Sequence, residues 1–235
     1  KWKIARVDQD QLAFESHQKA AIAYEQGFHQ KFLVEYQGTD RDQILRPGTK
    51  LDKLQRIHPA FKKNGSLTAG NSTPLTDGAS VTWLASESCA KENNFPILAN
   101  FVDAQSYAVD FEHGEGLLMA PAVAVSELLK RNNLTFEDID YFEIHEAFAA
   151  QVLSTMKAWE DQEYCRTRLK RDSPLGPIPR EKLNVMGGSL AIGHPFAATG
   201  SRIVTALAQI LSENPGKRGL ISICTAGGMG VAAIL

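Results

Sequence analysis

Residues 184–200, NVMGGSLAIGHPFAATG, set one histidine, His194, among small residues. Glycine and alanine let a backbone or a ligand approach closely. Imidazole is the side chain whose charge changes most readily near neutral pH. Alone, a Gly-His-Pro step reads as a turn with an incidental histidine. Two further stretches change that balance. Cys224 opens the glycine turn CTAGGMG near the carboxyl end, and His145 starts HEAF directly after an apolar run. A thiol and two imidazoles at segment ends can converge on one reacting carbon, as nucleophilic or acid–base chemistry requires.

The elements that must hold these groups can be read from the pattern around them. Ile139 to Ile144 reads as a strand, with His145 at its carboxyl end and a helix from Glu146 to Trp159. In open α/β sheets functional groups collect at the carboxyl ends of strands. Beyond His194 a helix spans about Thr199 to Ser212, with Ile203, Leu207, Ile210 and Leu211 on one face and Pro215-Gly216 ending it. Gly219 to Cys224 is a buried strand, Gly227 to Gly230 a turn, and Val231 to Leu235 a returning strand. Upstream of these, Pro121 leads a helix over Ala122 to Arg131. The alternation from 121 onward predicts an α/β layer with a sheet between helices.

The earlier part is less regular. A capping-box spacing at Asp8 to Gln11 starts a helix with Leu12, Ala20, Ala23, Tyr24 and Phe28 as its stripe. Phe32 to Tyr36, Val81 to Ser86 and Phe95 to Val109 read as strands, and Glu87 to Lys91 as a short helix whose Cys89 is structural. Basic residues gather at Arg46, Lys50, Lys53, Arg56, Lys62 and Lys63. They form either a solvated face or a site for a phosphorylated ligand, and Phe61 among them is either core or a stacking surface. Residues 160–182, charged and proline-bearing, read as a surface excursion.

Bulk properties narrow the class. The chain has 235 residues, 43% of them hydrophobic, enough for one large domain or two small ones. A net charge of −2 and a pI near 6.3 argue against nucleic acid or an anionic membrane as partner. No apolar run is long enough to span a bilayer. Three widely spaced cysteines suit free thiols in a reducing compartment, and no ligand spacing points to a metal. The chain opens on Lys1 and runs straight into a helix signal, so a preceding segment is expected.

Together these stretches resemble the thiolase family. HEAFAAQ is similar to its [N/H]EAF box, GGSLAIGHPFAATGSR to its GHP box, and CTAGGMG to its carboxyl-terminal cysteine box; TAGNSTPLTDGAS also fits in order and spacing. HEAF in place of NEAF and the insert at 160–182 resemble the thiolase subunit of fatty-acid β-oxidation complexes. The resemblance implies a layered α/β fold: residues 1–70 as the later part of a CoA-binding loop domain, 71–120 as the end of the N-terminal half, and 121–235 as the complete C-terminal half.

It also implies a reaction, thiolysis of 3-ketoacyl-CoA by CoA, in which coenzyme A is a substrate and no cofactor is needed. His194 matches the histidine that activates a nucleophilic cysteine and lines an oxyanion hole, Cys224 the second acid/base, and His145 the position where many relatives place an Asn that orients a water in the first oxyanion hole. Ala226 stands where relatives often carry Gly and offers a backbone N–H to a second oxyanion, although Ala tolerates positive φ less well. Arg46, Phe61, Ala69 and Thr73 match CoA contacts, and Leu117 and Phe148 match positions near the pantetheine and acyl group. The family's Cys-Ser/Ala-Ser-Gly nucleophile turn is absent, so the chain alone is expected to be inactive and to need the N-terminal thiolase half. A homo-oligomer, a hydratase/dehydrogenase partner and a cytoplasmic location, with the mitochondrial matrix as the alternative, are further implications. Two other readings stand beside this one: a non-catalytic CoA-binding or assembly protein, and a biosynthetic acetoacetyl-CoA-forming acetyltransferase.

Overall fold

The computed structural model describes all 235 residues. Helix α1 spans Arg6–Glu25, α2 Leu51–Gln55 and α3 Glu87–Glu92; strand β1 is Asp103–Ala108 and helix α4 Ala120–Arg131. Next along the chain are β2 (Tyr141–Ile144), α5 (Ala149–Glu160), α6 (Gln162–Thr167), α7 (Ser189–Ile192), α8 (Thr199–Ser212), β3 (Gly219–Thr225) and β4 (Met229–Ile234). The strands form one sheet in the order β1-β4-β3-β2. β2 and β3 run parallel, while β4 is antiparallel to both of its neighbours. No helix is long and apolar enough to cross a membrane.

Side-chain alternation divides the sheet's two faces between helices. Phe142, Ile144, Leu220, Ala232 and Ile234 join the large core with α4 and α5. Ile221, Ala233 and Leu235 pack instead with Ile203, Leu207 and Leu211 of α8. On the first face Trp159 is fully buried, and its indole N–H donates to the Ala122 carbonyl at 3.0 Å. Phe136 meets the rings of Trp159 and Phe142 edge-on at 5.3 and 5.2 Å. Burying each such large side chain contributes roughly 1.5–3 kcal/mol.

The expected α/β layer is present, with local differences. Phe32 to Tyr36 is not a strand: Val34 and Tyr36 are exposed, and Tyr36 bridges Thr39 across a turn. Val81 to Ser86 is unpaired too; Thr82 Oγ1 lies 2.7 Å from Ser201 Oγ and 3.0 Å from Thr205 Oγ1, laying the segment along α8. The long strand expected from Phe95 shrinks to β1, with Phe95, Phe101 and Val102 exposed. Asp8 is not a cap. α1 begins after Ala5, without a side-chain cap, and places Asp8 in its first turn, where a negative charge still favours the helix dipole. Cys89 is exposed on α3 and holds no core.

Residues 160–182 are not a surface excursion. Tyr164, Cys165, Leu169 and Ile178 are buried in the main core. Arg171 crosses to α4, donating to Ser126 Oγ at 2.7 Å and to the Ser126 carbonyl at 2.8 Å. Charge and proline content hid an element whose apolar residues are spaced too irregularly to show a period.

Candidate active site

β2 ends one residue before His145, and α5 does not begin until Ala149. Asn184 clamps the strand end: its Oδ1 accepts the Ile144 N–H at 2.8 Å and its Nδ2 donates to the Ile144 carbonyl at 2.9 Å. Glu146 then turns inward instead of starting α5. Its carboxylate accepts from Ser16 Oγ and Asn184 Nδ2, each at 2.7 Å, and from the Leu190 N–H at 3.1 Å. A Cβ on Gly188 would stand 2.4 Å from that carboxylate, which is why the second glycine of GGS is required there. Glu146 thus ties α1, the end of β2 and the loop before His194 into one frame.

His194 lies between α7 and α8. Its backbone N–H donates to Thr76 Oγ1 at 3.1 Å, and its Nδ1 lies 2.7 Å from Thr199 Oγ1. The Thr199 hydroxyl also lies 3.1 Å from the Pro195 carbonyl, and when it donates its one proton there it accepts from the ring. In that arrangement the imidazole proton is on Nδ1 and Nε2 keeps a free lone pair. The His145 ring packs against His194 with centroids 4.2 Å apart. His145 Nδ1 lies 2.9 Å from Ser189 Oγ, which takes a 2.7 Å hydrogen bond from Arg202 Nη2. Burial, and after it the nearby charge of Arg202, lowers the His194 pKa. Burial, then His194 and Arg202, drives that of His145 well down. Both rings are therefore neutral at neutral pH.

Cys224 sits at the same carboxyl edge on the neighbouring strand. The His145 N–H donates to the Ser222 carbonyl at 2.8 Å, two residues before Cys224. Cys224 pairs with Gly230, whose Cβ position would point at Pro121, so the thiol is on the α4 side of the sheet while the histidines lie on the α8 side. The convergence expected from the sequence is therefore seen for the two histidines, 4.2 Å apart, and not for Cys224, which makes no hydrogen-bond contact with either ring. Burial pushes the Cys224 thiol up to about 12, so it is a protonated donor at neutral pH. In the turn after it Gly227 and Gly228 take φ of 85° and 74°, whereas Ala226 stays outside the left-handed region. The expected penalty for Ala at this position does not arise.

Of the residues matched to CoA contacts, three are brought together. Phe61 and Phe148 stack edge-on with centroids 5.8 Å apart. The Thr73 N–H and hydroxyl both donate to the Ala147 carbonyl at 3.1 Å, and Ser72 bridges Phe148. Phe61 is 66% exposed and so is not core. Ala69 is exposed, in the turn just before this strip. Leu117 is half exposed ahead of α4, and the adjoining Leu118 carbonyl is held by Gln151. Arg46 is exposed, and its backbone N–H donates to His17 Nδ1 at 3.4 Å, so α1 supports its loop.

Glu146, Asn184, Ser189, Thr199 and Arg202 build the site without having been singled out in the sequence. Thr199 lies five residues from His194 and had a local signal in the start of α8. The others act across 38 to 130 residues or through another side chain and leave no local trace.

Two family models cover the chain: the thiolase N-terminal domain over residues 1–88 and the thiolase C-terminal domain over residues 95–235. The 3-ketoacyl-CoA thiolase of Shewanella loihica is 40% identical over 241 residues, covering 100% of this chain and 55% of that protein. The 3-ketoacyl-CoA thiolase of Yersinia enterocolitica is 39% identical, covering 99% and 54%. The chain thus spans about half the length of the curated relatives it matches. Among solved structures, Bacillus anthracis acetyl-CoA acetyltransferase superposes with a TM-score of 0.83 at 34% identity, over 99% of this chain and 56% of that one. Human mitochondrial 3-ketoacyl-CoA thiolase in complex with CoA gives 0.81 at 31%, over 99% and 55%. With both domain models matched, and with the paired histidines and the edge cysteine lying in the stretches that carry the motifs, this chain belongs to the thiolase family.

Proposed function

We propose that the chain supplies the histidine–cysteine side of a 3-ketoacyl-CoA thiolase site, acting in fatty-acid β-oxidation. The observation that carries this reading is the His145–His194 pair, 4.2 Å apart, with each Nδ1 engaged by a hydroxyl. That leaves both Nε2 atoms to a ligand. His194 Nε2, a free lone pair, takes the proton of an attacking thiol. The thiolate adds to the 3-keto carbon, and the oxyanion forms beside His145. The bond between C2 and C3 then breaks, and the Cys224 thiol protonates C2 to release acetyl-CoA. CoA thiol, deprotonated by the Cys224 thiolate, attacks the acyl-enzyme; the shortened acyl-CoA leaves, and the expelled enzyme thiolate takes its proton back from His194. Coenzyme A enters as substrate along Phe61, Ala69, Thr73 and Phe148, with Arg46 near its phosphates and Leu117 beside the acyl group.

The attacking cysteine is not among these residues. Cys89 is exposed on α3, Cys165 is in the core, and Cys224 carries a strongly raised pKa. The N-terminal thiolase half completes the site, and the assembled enzyme is a homo-oligomer. The chain alone should therefore show no CoA-dependent loss of 3-ketoacyl-CoA absorbance, while an enzyme extended by a segment bearing the cysteine turn should turn over. Robust turnover by the 235-residue chain would overturn the reading. The likeness to an acetyl-CoA acetyltransferase keeps a biosynthetic role as the second reading. A preference of the extended enzyme for acetoacetyl-CoA over 3-ketohexadecanoyl-CoA would favour it.

A further inference from the structure

We infer that Ser189 and Arg202 are positioning residues that fix His145 with its proton on Nε2, as a hydrogen-bond donor to the reacting oxygen. The inference rests on the thiolase reading for its consequence, but its geometry stands alone. Ser189 Oγ has two polar neighbours: Arg202 Nη2 at 2.7 Å and His145 Nδ1 at 2.9 Å. A guanidinium only donates, so the single hydroxyl proton is directed at the imidazole. Nδ1 must then be the acceptor, and the neutral ring carries its proton on Nε2. The opposite tautomer would make Ser189 Oγ accept twice and leave the hydroxyl proton without an acceptor.

His145 is 2% exposed, and its Nε2 has no partner within the chain. A buried donor left unpaired is costly, and a ligand oxygen removes that cost. The donor is thus preorganised for charge that develops during the reaction. Burial lowers the Arg202 pKa from its ordinary value, and the carboxyl groups of Glu143, Asp42 and Glu146 around it oppose that effect.

The two anchors share one turn of α8. Thr199 engages His194 directly, and Arg202, three residues on, engages His145 through Ser189. Residues at this spacing lie on the same helix face. One helical turn therefore writes opposite tautomers into adjacent rings: an acceptor at His194 Nε2 and a donor at His145 Nε2.

Nitrogen-15 spectra of the imidazoles test this on the 235-residue chain and on the extended enzyme. His145 is assigned by difference with His145→Asn among the six histidines. At neutral pH the wild type should show a protonated His145 Nε2 and an unprotonated Nδ1, with the reverse at His194. A protonated His145 Nδ1 in the wild type overturns the inference whatever the variants do. Ser189→Ala should turn the single His145 state into a mixture with a rapidly exchanging ring proton, leaving the His194 signals in place; Ser189→Thr should restore the single state. Arg202→Met should likewise loosen His145. Unchanged His145 signals in Ser189→Ala and Arg202→Met also overturn it. In the extended enzyme Ser189→Ala should lower kcat by about tenfold or more, with KM little changed. Correct tautomers without any thiolase turnover would refute the proposed function and leave this inference intact.

Discussion

Thr199 Oγ1 lies 2.7 Å from His194 Nδ1 and 3.1 Å from the Pro195 carbonyl. The His194 ring is thereby held from inside its own loop. Thr199→Val should free the ring and lower kcat of the extended enzyme by about tenfold or more, whereas Thr199→Ser should retain most of the rate. Steady-state kinetics of the two variants decide between a positioning role and simple packing.

The same ring gives a pH expectation. Burial and Arg202 hold the His194 pKa below its ordinary 6.5. As pH falls, the free base therefore persists below 6.5, and the acid limb of the rate profile should lie below that value. Arg202→Met removes the repelling charge and should move the limb upward. A limb that stays put in the variant would assign the shift to burial alone.

Glu143, on the same face of β2 as His145, titrates in the opposite sense. Burial pushes it from 4.5 up to about 8. Its contribution to stability is fully present below 4.5 and is lost as pH rises through 8. Glu143→Gln should gain on the wild type across that interval, by on the order of a few kcal/mol at its upper end. Urea unfolding midpoints measured from pH 4.5 to 8 read the difference directly. A constant offset between the two proteins would refute the assignment.

Ala197, in the loop between His194 and α8, takes φ of 68° without being glycine. That conformation costs a side chain roughly 1–2 kcal/mol, part of which glycine gives back as unfolded-state entropy. Ala197→Gly should stabilise the chain by about 1 kcal/mol in urea unfolding.

Gly188→Ala should do the reverse. The added methyl meets the Glu146 carboxylate, which three hydrogen bonds hold in place, so the cost should reach about 1–3 kcal/mol. A neutral Gly188→Ala would mean that the frame around Glu146 yields more readily than its bonds suggest.

These positions also mark how far the sequence could be read. The pairing of His145 with His194 was legible because strand ends and glycine turns are local signals, and α8 and β3 because their apolar residues repeat at the right interval. Glu146 looked like the first residue of a helix, which is what its position in HEAF suggests. Its actual bonds reach residues 130 away. Ser189 is one small residue among several, and its meaning comes only from an arginine on the next helix. Val81, Trp83 and Leu84 look like a strand because they are apolar, yet they are exposed here and pair with no strand.

The clamp that Asn184 places on Ile144 has a consequence for the sheet as a whole. The backbone of residues 182–184 bonds Phe142, and the Asn184 side chain then occupies both polar groups of Ile144. The rim beyond β2 is thereby closed to another strand. At the opposite rim β1 has no strand on its far side, and Phe101 and Val102 beside it are exposed. The sheet can grow in one direction only. Whatever extends it must join beyond β1, at the rim farthest from the histidine pair, so enlargement of the sheet and the pairing of the two histidines are kept apart in space.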